Sequence, residues 1–284
     1  MAAKAARVAL LGFRRWGADV RYPLLLAMIT VFLWWALDPV KAMAYATGYA
    51  VSPIVFPFLT GGEVNQLIII VGALFLFSDA PFVGESQLFV LARTGRRPWV
   101  LGQALYIAGA SACYVAVLLA LSLIFLAPVS TMGTEGWGKV LTTLCYTDAG
   151  AAFHLGFTVP EKVLTSLTPA AALGLQLMLE WMAVAIVGLV VFTVNLFAPV
   201  KAGVFAGGLM ALFDLLVTNA LPFALYGFSP VSLARLPVLD FAGNNPYLPT
   251  VGWAVGFDLC LLATLVAFLA VVARRTVIDI APEA

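Results

Sequence analysis

Charge is scarce in this chain: Asp, Glu, Lys and Arg make up 10% of its 284 residues, against roughly 25% in soluble domains. A water-soluble fold of this length could not cover its surface with so few polar groups. The formal net charge of +1 comes without any basic run long enough to track phosphates, which excludes nucleic acid as a partner. The three cysteines, Cys113, Cys145 and Cys260, have no metal-ligand spacing and read as small hydrophobes. A single histidine, His154, rules out an H-E-x-x-H zinc helix, and no G-x-S-x-G elbow is present. No G-x-x-x-x-G-K-[ST] loop occurs, so the chain lacks that means of cradling a nucleotide. Nor does a small-residue cleavage site follow the first apolar run, which continues through Trp34 and Trp35 and reads as an uncleaved anchor.

What is abundant is apolar: 63% of residues are hydrophobic, with a mean hydropathy of +1.05. They gather into runs at Tyr22 to Leu37, Gln66 to Val83, Val100 to Ala127, Leu173 to Phe197, Gly203 to Tyr226 and Val251 to Ala273. Twenty helical residues span about 30 Å, the thickness of a hydrocarbon core. The expected fold is all-α, a single polytopic membrane domain over residues 1–284 with six transmembrane helices. Six crossings put both termini on one side and sort the connections between two faces. Eleven basic residues (Lys4, Arg7, Arg14, Arg15, Arg21, Arg93, Arg96, Arg97, Lys201, Arg274 and Arg275) then fall on one face, and four (Lys41, Lys139, Lys162 and Arg235) on the other. The positive-inside rule makes the first face, with both termini, cytoplasmic, in the inner membrane of a cell.

Three extracytoplasmic segments follow, Asp38 to Asn65, Pro128 to Ala172 and Gly227 to Thr250, all rich in Pro, Gly, Thr and aromatics. Stretches such as Val51 to Leu59 are apolar but too short to cross, and leave room for a re-entrant excursion. On the cytoplasmic face, residues 1–21 suggest an interfacial helix. Lys4, Arg7, Arg14 and Arg15 share one side of a helical wheel and Ala5, Ala9, Phe13 and Trp16 the other, with Val8 and Leu11 breaking the pattern. Between the second and third runs, Gly84 to Trp99 reads GESQLFVLARTGRRPW: a polar start, a short apolar knob, a basic cluster, and Pro98 restarting a helix. Two readings stay open, a re-anchoring loop whose arginines meet anionic lipid and a docking helix that seats its knob in a partner's groove.

An N-terminal amphipathic helix, two spans, this arginine-rich loop with Arg93, Arg96, Arg97 and Trp99, and four further spans resemble the permease subunits of type-2 ATP-binding-cassette exporters. The tail Ala273 to Ile280 and the Ser229-Pro230 segment are similar to theirs as well. The resemblance implies that residues 84–99 form a coupling helix seated on an ATPase subunit, with Glu85, Gln87, Phe89, Arg93, Arg96 and Arg97 as its contact surface. It also implies a second permease copy or a related permease, and ATP and Mg bound by the partner ATPase rather than by this chain. The insert between spans three and four is longer than the family pattern.

Acids at membrane depth call for a function. Asp214 falls near the middle of the fifth run, Glu180 and Asp258 nearer the external ends of the fourth and sixth, and Asp79 at the cytoplasmic end of the second. No Lys or Arg inside the runs is available to pair with them. They could line one transport path, for an amphipathic peptide, lipid or drug, or be isolated groups hydrogen-bonded to neighbouring helices. Asn195 and Asn219 read as interhelical glue, and Gly203-x-x-x-Gly207 and Gly252-x-x-x-Gly256 as places of close helix approach. Two other classes compete: a proton-coupled secondary transporter using Asp214, and an intramembrane enzyme built on a pair of these acids.

Overall fold

In the computed structural model the chain folds entirely as helices and connecting turns among the described residues, which are 1–17, 19–82, 85–131, 136–198 and 201–275, with the side chains of 85–88 and 274–275 excepted. The order is α1 (Ala2–Arg14), α2 (Arg21–Thr47), α3 (Phe56–Leu59), α4 (Glu63–Phe77), α5 (Glu85–Thr94), α6 (Arg96–Leu126), α7 (Gly138–Tyr146), α8 (Ala149–Ala152), α9 (Glu161–Ser166), α10 (Pro169–Asn195), α11 (Ala202–Asn219), α12 (Pro230–Leu233) and α13 (Val251–Arg275). Helices α2, α6, α10, α11 and α13 are long and apolar enough to cross a membrane, and α4 is apolar but shorter. The chain is thus built as a multi-pass helical membrane protein. Its outward side chains fit that setting: Leu24, Leu26, Met28, Val31, Trp34 and Trp35 of α2 are all exposed, a stripe suited to lipid and not to water.

The boundaries differ from the apolar runs, each for a local reason. Helix α2 continues ten residues past Leu37, through Pro39, and stops at Gly48, which takes the left-handed conformation at φ 70°. Falling hydropathy there marks the end of an apolar run but not of the helix, and Asp38 and Lys41 pair at 3.2 Å one turn apart. Helix α11 ends at Asn219, short of Tyr226, because Pro222 cannot continue a helix. Helix α10 starts where Thr168 accepts a hydrogen bond from the Ala171 N–H and Pro169 fills the first turn.

Helix α10 is the axis of the bundle: 67% of its apolar window is buried, against 11% for α13. Small residues let neighbours close on it. A Cβ at Gly188 would stand 2.7 Å from both Ile107 and Phe77, so α6 and α4 meet α10 at that point. Gly203 and Gly207 likewise bring α11 against Val191 and Asn195 of α10, whereas Gly252 and Gly256 face open space within 4 Å. Asn195 donates to the Ala80 carbonyl at 2.8 Å and accepts from the Gly203 N–H at 2.7 Å, joining three elements. Asn219 is exposed and bonds only the Leu215 carbonyl of its own helix, so it glues nothing across helices.

Helix α1 does not lie apart on an interface. Its buried stripe is Ala5, Val8, Ala9 and Gly12, and Val8, which seemed to spoil the wheel, is the residue that seats against Gly102 of α6. Val8 opposite Gly102, Gly12 opposite Tyr106 and Phe13 opposite Gly109 run the two helices side by side in the same direction. Lys4, Arg7 and Arg14 stay on the exposed side. A Cβ at Gly102 would stand 2.5 Å from Val8 Cβ and 2.8 Å from the Ala5 carbonyl oxygen. Gly102→Val should therefore push α1 off α6 at a cost of about 1–3 kcal/mol. In a background lacking native cysteines, a cysteine at position 9 should resist maleimide in the parent and react in the Gly102→Val variant.

Candidate functional site

The segment after α11 carries the densest polar chemistry. Residues 229–239 do not lie over the bundle as a loop; Pro230, Val231, Ser232, Leu233, Ala234, Arg235 and Leu236 are all buried. Ser229 caps α12 by accepting from the Ser232 N–H at 3.2 Å, and Pro230 opens the helix. This short turn drives Arg235 inward to 5% exposure.

Arg235 is then almost fully used. Its Nε donates to the Gly61 carbonyl at 3.0 Å, and its Nη1 donates to Asp214 Oδ1 at 3.0 Å and to Thr218 Oγ1 at 2.9 Å. Its Nη2 reaches Glu63 Oε2 at 3.3 Å. Asp214 also accepts from the Ser232 hydroxyl at 2.7 Å. One guanidinium thereby ties α11, the start of α4 and its own re-entrant segment. The expectation that the acids have no cation to pair with is corrected here. Asp214 has one, brought in by a segment expected to lie outside the membrane. Asp214 also sits five residues from the end of α11 rather than at mid-membrane, because that helix ends at Asn219.

Beside this clasp, Glu180 of α10 is fully buried and accepts from Gln66 Nε2 and Gln176 Nε2, both at 3.2 Å. Gln176 Nε2 also donates to the Ala234 carbonyl at 2.8 Å, so the Glu180 and Asp214 groups meet through residues 234 and 235. The amide oxygens of Gln66 and Gln176 have no partner among the described residues. Asp258 of α13 is fully buried, and neither of its carboxylate oxygens has one.

The four acids do not share a path. Asp79 lies at the opposite end, in the turn after α4, within 3.3 Å of Arg21 and 3.8 Å of Arg15. None of Asp79, Glu180, Asp214 and Asp258 lines either of two cavities, one between α2 and the end of α6 around Trp34 and Ile124, the other around Tyr22 and Cys113. Gln176 and the 234–235 backbone link Glu180 to the Asp214–Arg235 pair, so these two acids take part in one fastening.

At the Asp79 end, α5 forms a separate ten-residue helix, and Gly95 at φ 83° breaks it from α6. Phe89 projects at 74% exposure while Val90 and Leu91 pack inward. Arg93 lies in the last turn of α5, and Arg96 and Arg97 open α6 rather than belonging to the same helix. The side chains of Glu85 and Gln87 lie outside the described residues, as do Gly84 and positions 276–280 of the tail.

The four basic residues at the clasp end are all engaged: Lys41 with Asp38, Lys139 over the Tyr49 ring at 4.4 Å, Lys162 on the Leu239 carbonyl at 3.2 Å, and Arg235 in the clasp. Backbone N–H groups, that of Asn245 foremost, hold the Asp240 carboxyl below its usual range where the chain leaves this segment. Among the described residues no cluster of His, Cys, Asp and Glu is suited to a metal ion. Comparison of the chain with protein-family models, curated proteins and solved structures finds no match.

Removing one partner of a buried ion pair strands the other charge, which costs about 3–5 kcal/mol. Arg235→Met should therefore lower the unfolding midpoint in mild detergent strongly. Adding Asp214→Leu should recover part of that loss, the remainder being the Gly61 carbonyl left without its donor. Equal midpoints for parent and Arg235→Met would show that the clasp is not a stabilising element.

Proposed function

We propose that this chain is the membrane-spanning subunit of an ATP-binding-cassette exporter in a cytoplasmic membrane, acting with a separate ATPase subunit that binds ATP and Mg, and with a second permease copy or a related permease. The observation that carries the reading is α5, a short helix held apart from α6 by a left-handed glycine, presenting Phe89 outward beside Arg93, Arg96 and Arg97. An exposed aromatic flanked by guanidinium groups suits a groove in a soluble partner, the ring filling a pocket and the arginines meeting carboxylates. Because α5 runs into α6, which lies against α10, motion imposed on the knob reaches the bundle axis through packed helices.

In this reading α4 is the sixth span. Its 15 residues cover about 22 Å, and the buried turn α3 before it and the turn 78–82 after it complete the crossing. Both termini and α5 are then cytoplasmic. The charge distribution supports that orientation, since Lys4, Arg7, Arg14 and Lys201 are exposed at the Asp79 end while every basic residue at the other end is engaged. The proton-coupled alternative loses its main candidate, because Asp214 is committed to Arg235. The cargo is an amphipathic or hydrophobic molecule such as a peptide, lipid or drug.

Phe89→Asp, and separately Arg96→Glu with Arg97→Glu, should abolish co-purification of an ATPase from the native membrane or uncouple its ATP turnover, while the unfolding midpoint of Phe89→Asp stays within about 0.5 kcal/mol of the parent, as for other exposed sites. Undiminished co-purification and transport in both variants would sink the assignment.

A further inference from the structure

At the Asp79 end, α2, α4 and α6 do not close on one another. Between them lies a cavity of about 330 Å³, walled by Ile29, Leu76, Cys113 and Val117 and capped by Trp16 and Tyr22. Its volume is in the lower part of the range of small-ligand sites, about 300–1,000 Å³. The cap is rigid. Trp16 and Tyr22 stack at 5.0 Å, and both turn their polar atoms onto the Tyr106 hydroxyl, Trp16 Nε1 at 3.0 Å and the Tyr22 hydroxyl at 3.1 Å. Both side chains line the cavity.

Immediately beyond the cap sit the charges. Arg15 and Arg21 are 36% and 46% exposed and share the single carboxylate of Asp79, with Asp19 beside Arg21 at 3.9 Å and exposed Arg14 next along the chain. Three arginines against two carboxylates leave one positive charge at the mouth of an apolar groove. A neutral or cationic occupant leaves that charge unmatched, whereas a phosphodiester with an acyl chain matches both halves. Aromatic rings at headgroup depth and arginines above them are the ordinary means of holding such a molecule.

We propose that this groove is a binding site for one anionic phospholipid, its acyl chain in the cavity and its phosphate on Arg21 and Arg15. The site requires no ATPase, so it stands or falls apart from the exporter reading. The lipid wedges α2 against α6 where the packing leaves a gap, and its headgroup bridges the start of α2 to the end of α1.

Cys113 is exposed on the groove wall, which makes occupancy measurable. With Cys145→Ser and Cys260→Ser in place, the delipidated protein in mild detergent is treated with a membrane-permeant maleimide. Phosphatidylglycerol should slow labelling of Cys113 about fivefold more than phosphatidylcholine does, the factor that one basic contact supplies. Arg21→Gln should erase the difference between the two lipids. Ile29→Trp, which fills the groove, should reduce the phosphatidylglycerol that co-purifies, as read by mass spectrometry. Equal protection by both lipids, or none by either, would overturn the proposal. So would full protection by glycerol phosphate, which lacks the chain, or protection that rises with protein concentration without lipid, which would mark a second copy on this face.

Discussion

The architecture at one end of the bundle depends on a single buried guanidinium. Arg235 cannot be desolvated without partners, and the chain supplies them from three directions: Asp214 and Thr218 on α11, Glu63 at the start of α4, and the Gly61 carbonyl before it. Those partners specify where the re-entrant segment must sit, since a hydrophobic side chain in the same place would tolerate many depths. The Glu180, Gln66 and Gln176 group extends the fastening to α10 through the Ala234 carbonyl. Four elements are thus given one register at this end of the bundle.

The two ends of the molecule are built differently. At the clasp end the polar groups are internal, and the segments over it are tied down, as where Trp137 Nε1 donates to the Leu164 and Leu167 carbonyls and Trp253 Nε1 to that of Gly227. At the other end the charges point outward, α1 runs along the start of α6, and α5 stands off with its phenylalanine exposed.

The apolar runs were legible because hydropathy reports burial in lipid directly, and five of them became spanning-length helices. Their ends were less legible. Residues 38–47 alternate polar and apolar groups yet stay helical, and Pro222 was the overlooked signal that α11 stops at Asn219. The clasp was hidden for a different reason. Arg235 was counted as a loop charge, and its partners at positions 61, 63 and 214 are far away in sequence, so no spacing announces them. A lone arginine within PVSLARLPVL, flanked by apolar residues on both sides, was the one available hint that the segment folds inward. Glu180, Asp214 and Asp258 are buried and Asp79 is half-buried at the other end; that separation was not legible, because depth along a helix says nothing about which face a side chain takes.

The central claim is that residues 229–239 enter the bundle and are held there by Arg235. Its most direct test is aqueous accessibility in proteoliposomes, using single cysteines at Val231 and Asn244 in a background without native cysteines. Position 244 should react promptly with a membrane-impermeant maleimide and position 231 should remain unreactive until Arg235 is replaced. Prompt reaction at position 231 with Arg235 intact would place the segment outside the bundle and contradict the account.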